Sequence, residues 1–87
     1  MVTVVVYDIP NDRLRLKIAN ACKDLGLVRV QYSTFVGYLP YSRRSELELR
    51  ARRILGANPG NVRWFPVCER DLCLAREVSA GGYRPWR

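Results

Sequence analysis

The chain has 87 residues, a net charge of +7 and no histidine. At this length a single domain buries only roughly 60–65% of its unfolded surface, which favours support from a second subunit. The absence of histidine excludes Ser-His and Cys-His nucleophilic sites, histidine-rich zinc sites and histidine-based ribonuclease mechanisms. Fifteen basic residues against eight acidic ones favour a polyanionic partner such as nucleic acid.

The sequence predicts a cytoplasmic protein with no membrane partner. The first apolar run is too short to span a bilayer and has no basic segment before it, so it predicts neither a transmembrane helix nor a signal peptide. Three cysteines leave one over in any disulfide scheme, which favours a reducing compartment. Cys22 is expected on the buried face of a helix, whereas Cys68 and Cys73 leave a bridge or half of a zinc site open.

Asp8 ends the first apolar run and is the main functional candidate. The valine-rich residues 2–7 predict a largely buried strand, and a carboxylate there is costly unless it is paired or binds a cation. Without histidine, a carboxylate that holds a hard cation is the remaining hydrolytic chemistry. Mg²⁺ suits this role because it takes one or two carboxylates together with waters and phosphate. The alternative is that Asp8 caps the first helix or pairs with Arg15.

The residues after this strand predict a helix and then two strands. Asn11 or Asp12 can cap the helix, which Gly26 ends. Arg15 and Lys17 lie off its apolar face, in the first turns, within reach of Asp8. Residues 27–39 are rich in valine and aromatic residues and predict two strands, with a reversal between residues 31 and 34.

The second half of the chain completes an α+β fold. Ser42 is the predicted N-cap of a second helix that ends at Gly56, and residues 62–68 predict a fourth strand in which Pro66 marks an edge or a bulge. The order βαββαβ is that of a ferredoxin-like sandwich with both helices on one face of an antiparallel sheet. Residues 72–78 predict an additional short C-terminal strand, which gives a domain over 1–78 and a tail over 79–87. A homodimer whose sheets pack together or exchange terminal strands would cover the other sheet face.

Three segments of the chain resemble the small CRISPR-associated Cas-two (Cas2) family. They are Tyr7-Asp8-Ile9 with Asp12, then Gly26-Leu27 with Arg29-Val30-Gln31-Tyr32-Ser33-x-Phe35-x-Gly37, and Val62-Arg63 with Pro66-Val67-Cys68. The resemblance implies a ferredoxin-like homodimer that acts with the CRISPR integrase in spacer acquisition, a step of antiviral defence. It also implies that some members are Mg²⁺-dependent nucleases that cut RNA or duplex DNA.

The resemblance implies roles for individual residues as well. Asp8 matches the catalytic carboxylate that holds the metal and approaches its two-fold mate. The basic positions linked to nuclease activity fall on Arg15, Lys17 and Arg29, and the aromatic position falls on Phe35. Lys17 replaces an arginine found in some members, so it keeps the charge but loses the bidentate fork.

Tyr7 and Ser33 complete the predicted nucleic-acid-binding set. Ser33 is either a phosphate or water ligand or an ordinary turn residue, and Phe35 is either a base-stacking residue or a core residue. One carboxylate per subunit makes a weak Mg²⁺ site, so two Asp8 side chains across a dimer axis are required.

Three other functions remain open from the sequence. A small-molecule regulatory domain of ferredoxin-like topology is compatible with the fold, but the high positive charge argues against it. A stand-alone, toxin-like ribonuclease would share the fold and the Asp8 site. An RNA-recognition module would share the strand order and stack bases on its sheet, but the chain lacks the aromatic-glycine signature of that class.

Overall fold

An antiparallel sheet of four strands with two long helices on one face forms the structure, a computed structural model that describes residues 1–81. The strands follow the order β2-β3-β1-β4. This arrangement confirms the predicted α+β, ferredoxin-like sandwich. The elements in chain order are β1 (Val2–Asp8), α1 (Asp12–Asp24), β2 (Val28–Gln31), β3 (Thr34–Tyr38), α2 (Tyr41–Leu55), β4 (Asn61–Val67) and α3 (Glu69–Leu72).

The core lies between the sheet and the helices α1 and α2. In β1, Val5 and Tyr7 are buried whereas Val6 and Asp8 are exposed, as the two-residue period of a strand requires. Cys22 is fully buried, and burial raises the pKa of its thiol to about 11, so it is a core residue rather than a reactive one. The helices among residues 1–81 are all too short or too polar to cross a membrane.

The structure confirms one predicted helix cap and corrects the other. The Leu14 N–H donates to Asn11 Oδ1 (3.0 Å), so Asn11 is the N-cap of α1. Helix α2 begins one residue before the predicted cap Ser42, and its N-cap is Pro40. The Arg43 and Arg44 N–H groups donate to the Pro40 carbonyl (3.0 Å each), so backbone bonds close the first turn without a side-chain cap.

The predicted C-terminal strand over residues 72–78 is wrong. Leu72 ends the short helix α3, in which the Asp71 N–H donates to Cys68 Sγ (3.4 Å) and acidic residues occupy the first turn, where they favour a helix. Residues 73–80 are neither helix nor strand, because a strand needs a ladder with a neighbouring strand. Residues 82–87, most of the predicted tail, lie outside the described residues.

The face of the sheet opposite the helices carries a band of apolar side chains. Strand pairing aligns Val28, Val36, Val4 and Phe65 in one row across all four strands. Val28 is 51% exposed and Phe65 is 52% exposed. The sheet therefore presents an open apolar face, which carries Asp8 at its edge because Asp8 follows Val4 and Val6 on the same side of β1.

Candidate functional site

Asp8 lies at the end of β1, where the sequence predicted it, but it is exposed, so the burial cost expected for its carboxylate does not arise; its cross-strand partner is Asn61 of β4. Its carboxylate forms no ion pair or hydrogen bond with other side chains among residues 1–81. Asn11 caps the helix and Asp12 pairs with Arg15, so neither alternative role predicted for Asp8 is realised. The carboxylate is thus available to a cation.

A glycine allows the close approach of the chain beside Asp8. Gly60 has φ of +139°, and a Cβ there would come within 3.1 Å of the Asp8 carbonyl oxygen and of Ile9 Cγ1. Both the backbone conformation and the contact require glycine. The turn before β4 is therefore shaped to hold the end of β1.

Strand β4 supplies two residues beside Asp8 for which the sequence predicted no role in the site. Asn61 lies directly opposite Asp8, and Arg63 lies opposite Val6, one step along the same face. Diagonal neighbours on one sheet face are within reach of long side chains. Arg63 is exposed and is the basic residue of β4 that shares the Asp8 face. The antiparallel register, which single-sequence patterns do not fix, is what brings it there.

Arg15 is held close to the end of β1 but on the helical side. Its Nη1 donates to the carbonyl of Ile9 (2.8 Å), its other nitrogen pairs with Asp12, and its guanidinium lies 5.6 Å from the centre of the Tyr32 ring. These contacts leave the Arg15 side chain only 24% exposed. Arg15 is therefore close to the Asp8 segment, as predicted, but its guanidinium lies on the helical side of the sheet and the Asp8 carboxylate on the other side.

Tyr7, Arg29 and Phe35 form a stack on the helical side of the sheet. The Tyr7 and Phe35 rings lie 6.3 Å apart, and the Arg29 guanidinium lies 5.2 Å from the centre of the Phe35 ring. Phe35 is fully buried and has no surface for a base, so of its two predicted roles the structure shows the core role, in which its ring supports Arg29. Tyr7 is 2% exposed, and its hydroxyl is buried as well, so the ring is a core residue.

Ser33 and Lys17 lie away from this stack. The Ser33 carbonyl accepts a hydrogen bond from the Tyr7 N–H (3.0 Å), so the turn between β2 and β3 holds the end of β1 through its backbone. Lys17 lines a groove between α1 and α2 with Asn20, Arg50 and Arg53. Residues two apart on a helix face different directions, which separates Lys17 from Arg15.

The donor set of one chain does not complete a metal site. Among residues 1–81 there is no group of three or more cysteine, aspartate or glutamate residues that could hold an ion. Asp8 and the Asn61 amide offer oxygen ligands of the kind that Mg²⁺ accepts. The set suits Mg²⁺ only if a second copy adds its own carboxylate.

Comparison with known proteins identifies the family. A sequence profile described as CRISPR associated protein Cas2 matches residues 1–73. The chain belongs to the Cas2 family. It is 52% identical over 83 residues to the CRISPR-associated endoribonuclease Cas2 of Desulforudis audaxviator. The aligned region covers 93% of this chain and 78% of the relative.

Two further similarities extend this comparison. The CRISPR-associated endonuclease Cas1/endonuclease Cas2 fusion of Thermoproteus tenax is 40% identical over 73 residues, which is 83% of this chain and 27% of the fusion. The crystal structure of Streptococcus pyogenes Cas2 superposes with a TM-score of 0.78 and 19% identity, and covers 91% of this chain and 100% of that one. At 19% identity this structure supports the fold alone.

The Cas2 family match confirms the resemblance and decides against an RNA-recognition module. The sheet agrees, because an RNA-recognition sheet stacks bases on aromatic side chains of its central strands. Here the open face of the central strands β1 and β3 carries mainly valine, Val4, Val6 and Val36, with one aromatic residue, Tyr38, at the end of β3. A mainly aliphatic surface of this kind favours protein packing over base stacking.

Proposed function

We propose that this Cas2 chain acts as a homodimer in CRISPR spacer acquisition, together with the integrase, and that the dimer is a Mg²⁺-dependent endonuclease. The observation that carries the proposal is Asp8: an exposed carboxylate with no ion pair among residues 1–81, at the end of a strand that is buried on one side and at the edge of an open apolar face. Asp8 is the residue we assign to catalysis and to metal binding.

The apolar sheet face supports the homodimer. Val6 is 37% exposed, Phe65 52% and Tyr38 65%, and all three lie on this face. A contiguous apolar patch on a chain of this size is typical of a protein interface. In a two-fold dimer the same patch meets itself, so each copy would bring its own Asp8 to the shared edge.

Two carboxylates from two copies, assisted by the Asn61 amides, would hold Mg²⁺ through oxygen ligands. When bound, the ion would lower the pKa of a water and offset the charge of the phosphate. Arg63 on the same face would bind the phosphate through its guanidinium fork and orient the scissile bond. Because the two Asp8 carboxylates would repel each other without a cation, we expect the metal to tighten the dimer.

The relatives support the partner and the substrate class. The Thermoproteus tenax relative joins Cas1 and Cas2 in one chain, which supports an integrase of the Cas1 type as partner. The Desulforudis audaxviator relative is named an endoribonuclease, which supports RNA as a substrate beside the DNA that spacer acquisition handles. Both roles would place the protein in the cytoplasm.

A Mg²⁺ titration of cleavage, on RNA and on duplex DNA, tests the proposal. We expect wild type to cleave with added Mg²⁺ and Asp8→Asn to lose cleavage while it remains dimeric and still binds nucleic acid. Asp71→Asn, which removes an exposed carboxylate on α3, is the matched control and should cleave like wild type. Cleavage by Asp8→Asn at the wild-type rate would disprove the catalytic assignment.

The same experiment separates a nuclease from a scaffold. If wild type binds duplex DNA and the integrase but cleaves neither substrate at any Mg²⁺ concentration, the adaptation role stands and the nuclease role fails. A stand-alone ribonuclease would instead cleave RNA and bind no integrase. A CRISPR array and an integrase gene beside its own gene would argue against that alternative.

A further inference from the structure

A second pocket lies on the opposite side of β1 from Asp8, between α1 and the end of β2. It has a volume of about 220 Å³, and its polar lining comes from Tyr7, Asp12, Arg15, Arg29 and Tyr32. Because Tyr7 and Asp8 are neighbours in a strand, their side chains point to opposite faces. The pocket is therefore separate from the proposed metal site.

The Tyr7 hydroxyl is a buried polar group without a protein partner. Its residue is 2% exposed, and the hydroxyl has no partner with hydrogen-bond geometry among residues 1–81, although the Arg29 guanidinium lies close enough to interact with it. Burial raises the pKa of Tyr7 above its usual value, although the nearby Arg29 guanidinium opposes this, so the group is a protonated donor at neutral pH. A buried donor without a partner is costly, and a ligand acceptor would remove that cost.

The charges around the pocket favour an anion. Arg15 and Arg29 contribute two guanidinium groups, and Asp12, which pairs with Arg15, offsets one of them. Arg15 is fixed by its hydrogen bond to the Ile9 carbonyl (2.8 Å), and Arg29 by its position on the Phe35 ring. A pre-positioned guanidinium fork beside a hydroxyl donor is well suited to the oxygens of one phosphate.

The mouth of the pocket carries an aromatic ring. Tyr32 is 69% exposed, and its ring contacts the Arg15 guanidinium. A cavity of about 220 Å³ is smaller than the roughly 300–1,000 Å³ of sites that enclose a whole ligand, so it would hold the phosphate and sugar. The base would then stack outside, on Tyr32, as bases do on exposed aromatic side chains.

We propose that this pocket binds a single nucleotide, with its phosphate on Arg29 and the Tyr7 hydroxyl and its base on Tyr32. The nucleotide is either a free nucleoside monophosphate or the 5′-phosphorylated end of a strand, since both present a phosphate monoester beside a base. Binding at the strand end rests on the proposed nucleic-acid function, whereas binding of a free nucleotide does not.

Isothermal titration calorimetry with adenosine monophosphate, adenosine and inorganic phosphate tests the site. We expect the monophosphate to bind wild type, and the other two to bind about tenfold more weakly, because each lacks either the phosphate or the stacking base. Tyr7→Phe should weaken monophosphate binding about tenfold while its melting temperature stays the same or rises, because the hydroxyl has no protein partner to lose. No saturable binding at millimolar nucleotide, or equal binding by Tyr7→Phe, would overturn the inference.

Tyr32→Ala should also weaken binding, and Tyr41→Ala is its matched control. Tyr41 is an exposed tyrosine under an arginine as well, with the Arg44 guanidinium 5.7 Å from its ring centre, but it lies at the start of α2. Equal effects of the two substitutions would contradict a base stacked on Tyr32.

A short oligonucleotide with and without its 5′-phosphate distinguishes the two sources. Tighter binding of the phosphorylated strand, lost in Tyr7→Phe, assigns the pocket to a strand end. Equal binding of both strands, with monophosphate binding retained, assigns it to a free nucleotide. Nucleotide binding without nuclease activity would leave the inference standing and the proposed nuclease role refuted, and the reverse result would refute the inference alone.

Discussion

Tyr7 and Asp8 are adjacent in the chain yet belong to different surfaces. Tyr7 is buried in the core and packs against Phe35, whereas Asp8 is exposed and lies opposite Asn61. The residues predicted to act as one site are thereby divided by the sheet, with Arg15 and Arg29 on the helical side. A phosphate held at Asp8 would therefore meet Arg63, which shares its face, before it meets either of them.

We predict that Arg63→Ala lowers the Mg²⁺-dependent cleavage rate about tenfold, because it removes the guanidinium that would stabilise phosphate charge beside Asp8. Arg63→Lys should recover part of the rate, since it keeps the charge without the fork. Single-turnover cleavage of a labelled RNA measures both.

Arg52→Ala is the control for this substitution. Arg52 is also exposed, but it lies on α2, where it pairs with Glu48 (2.8 Å). Its loss should leave cleavage unchanged, and a rate for Arg63→Ala equal to that of Arg52→Ala would show that Arg63 has no part in the reaction.

At the scale of elements, the strands and helices were predictable to the extent that local chemistry determines them. The Asn11 cap and the apolar stripe of α1 act within one helix, so the sequence was sufficient. Helix α2 begins at Tyr41 because backbone N–H groups donate to the Pro40 carbonyl, and no capping side chain in the sequence predicts this start. The position of Arg63 beside Asp8 depends on the register between β1 and β4, and the register of such a long-range pair cannot be predicted from the sequence of either strand alone.

Gly37 shows why the aromatic-x-glycine segment of β3 ends in glycine. A Cβ at this position would lie 2.8 Å from Leu27 Cδ2 and 3.2 Å from Leu27 Cα. We predict that Gly37→Ala lowers the free energy of unfolding by about 1–3 kcal/mol, the usual cost of overpacking. Urea unfolding monitored by circular dichroism provides the measurement.

A double-mutant cycle with Leu27→Ala tests the cause. Removing the Leu27 side chain leaves room for the new methyl group. The double variant should therefore lose less free energy of unfolding than the sum of the two single losses, by at least about 0.5 kcal/mol. Strict additivity would mean that the Gly37 effect comes from the backbone and not from this contact.

At the scale of the whole molecule, the two faces of the sandwich differ in character. The helical face carries the basic groove of Lys17, Arg50 and Arg53, whereas the open face of the sheet is mainly apolar. Duplex DNA bound along the basic groove and a second copy of the chain are therefore expected on different faces, whereas the scissile phosphate would lie at the Asp8 edge of the open face. This division would let one chain bind duplex DNA and a second copy at the same time.

We predict that Phe65→Glu prevents the proposed homodimer from forming, because it places a charge in the apolar row of the open face, beside Val4. Analytical ultracentrifugation gives the mass directly. Leu49→Glu is the matched control, since Leu49 is 48% exposed and Phe65 is 52% exposed, but Leu49 lies on α2. A dimer that persists in Phe65→Glu would contradict the assigned interface.

The basic groove on the helical face predicts how duplex DNA binding depends on salt. Each phosphate contact releases condensed counterions, so the slope of log K against log salt concentration falls by about 0.9 per contact. Arg53→Ala should make this slope shallower by about that amount, whereas Arg70→Ala, on α3, should leave it unchanged. Fluorescence anisotropy at several salt concentrations measures the slopes. Equal slopes for wild type and Arg53→Ala would place the DNA elsewhere, and a flat response in wild type would mean that the net charge of +7 does not act on phosphates at all.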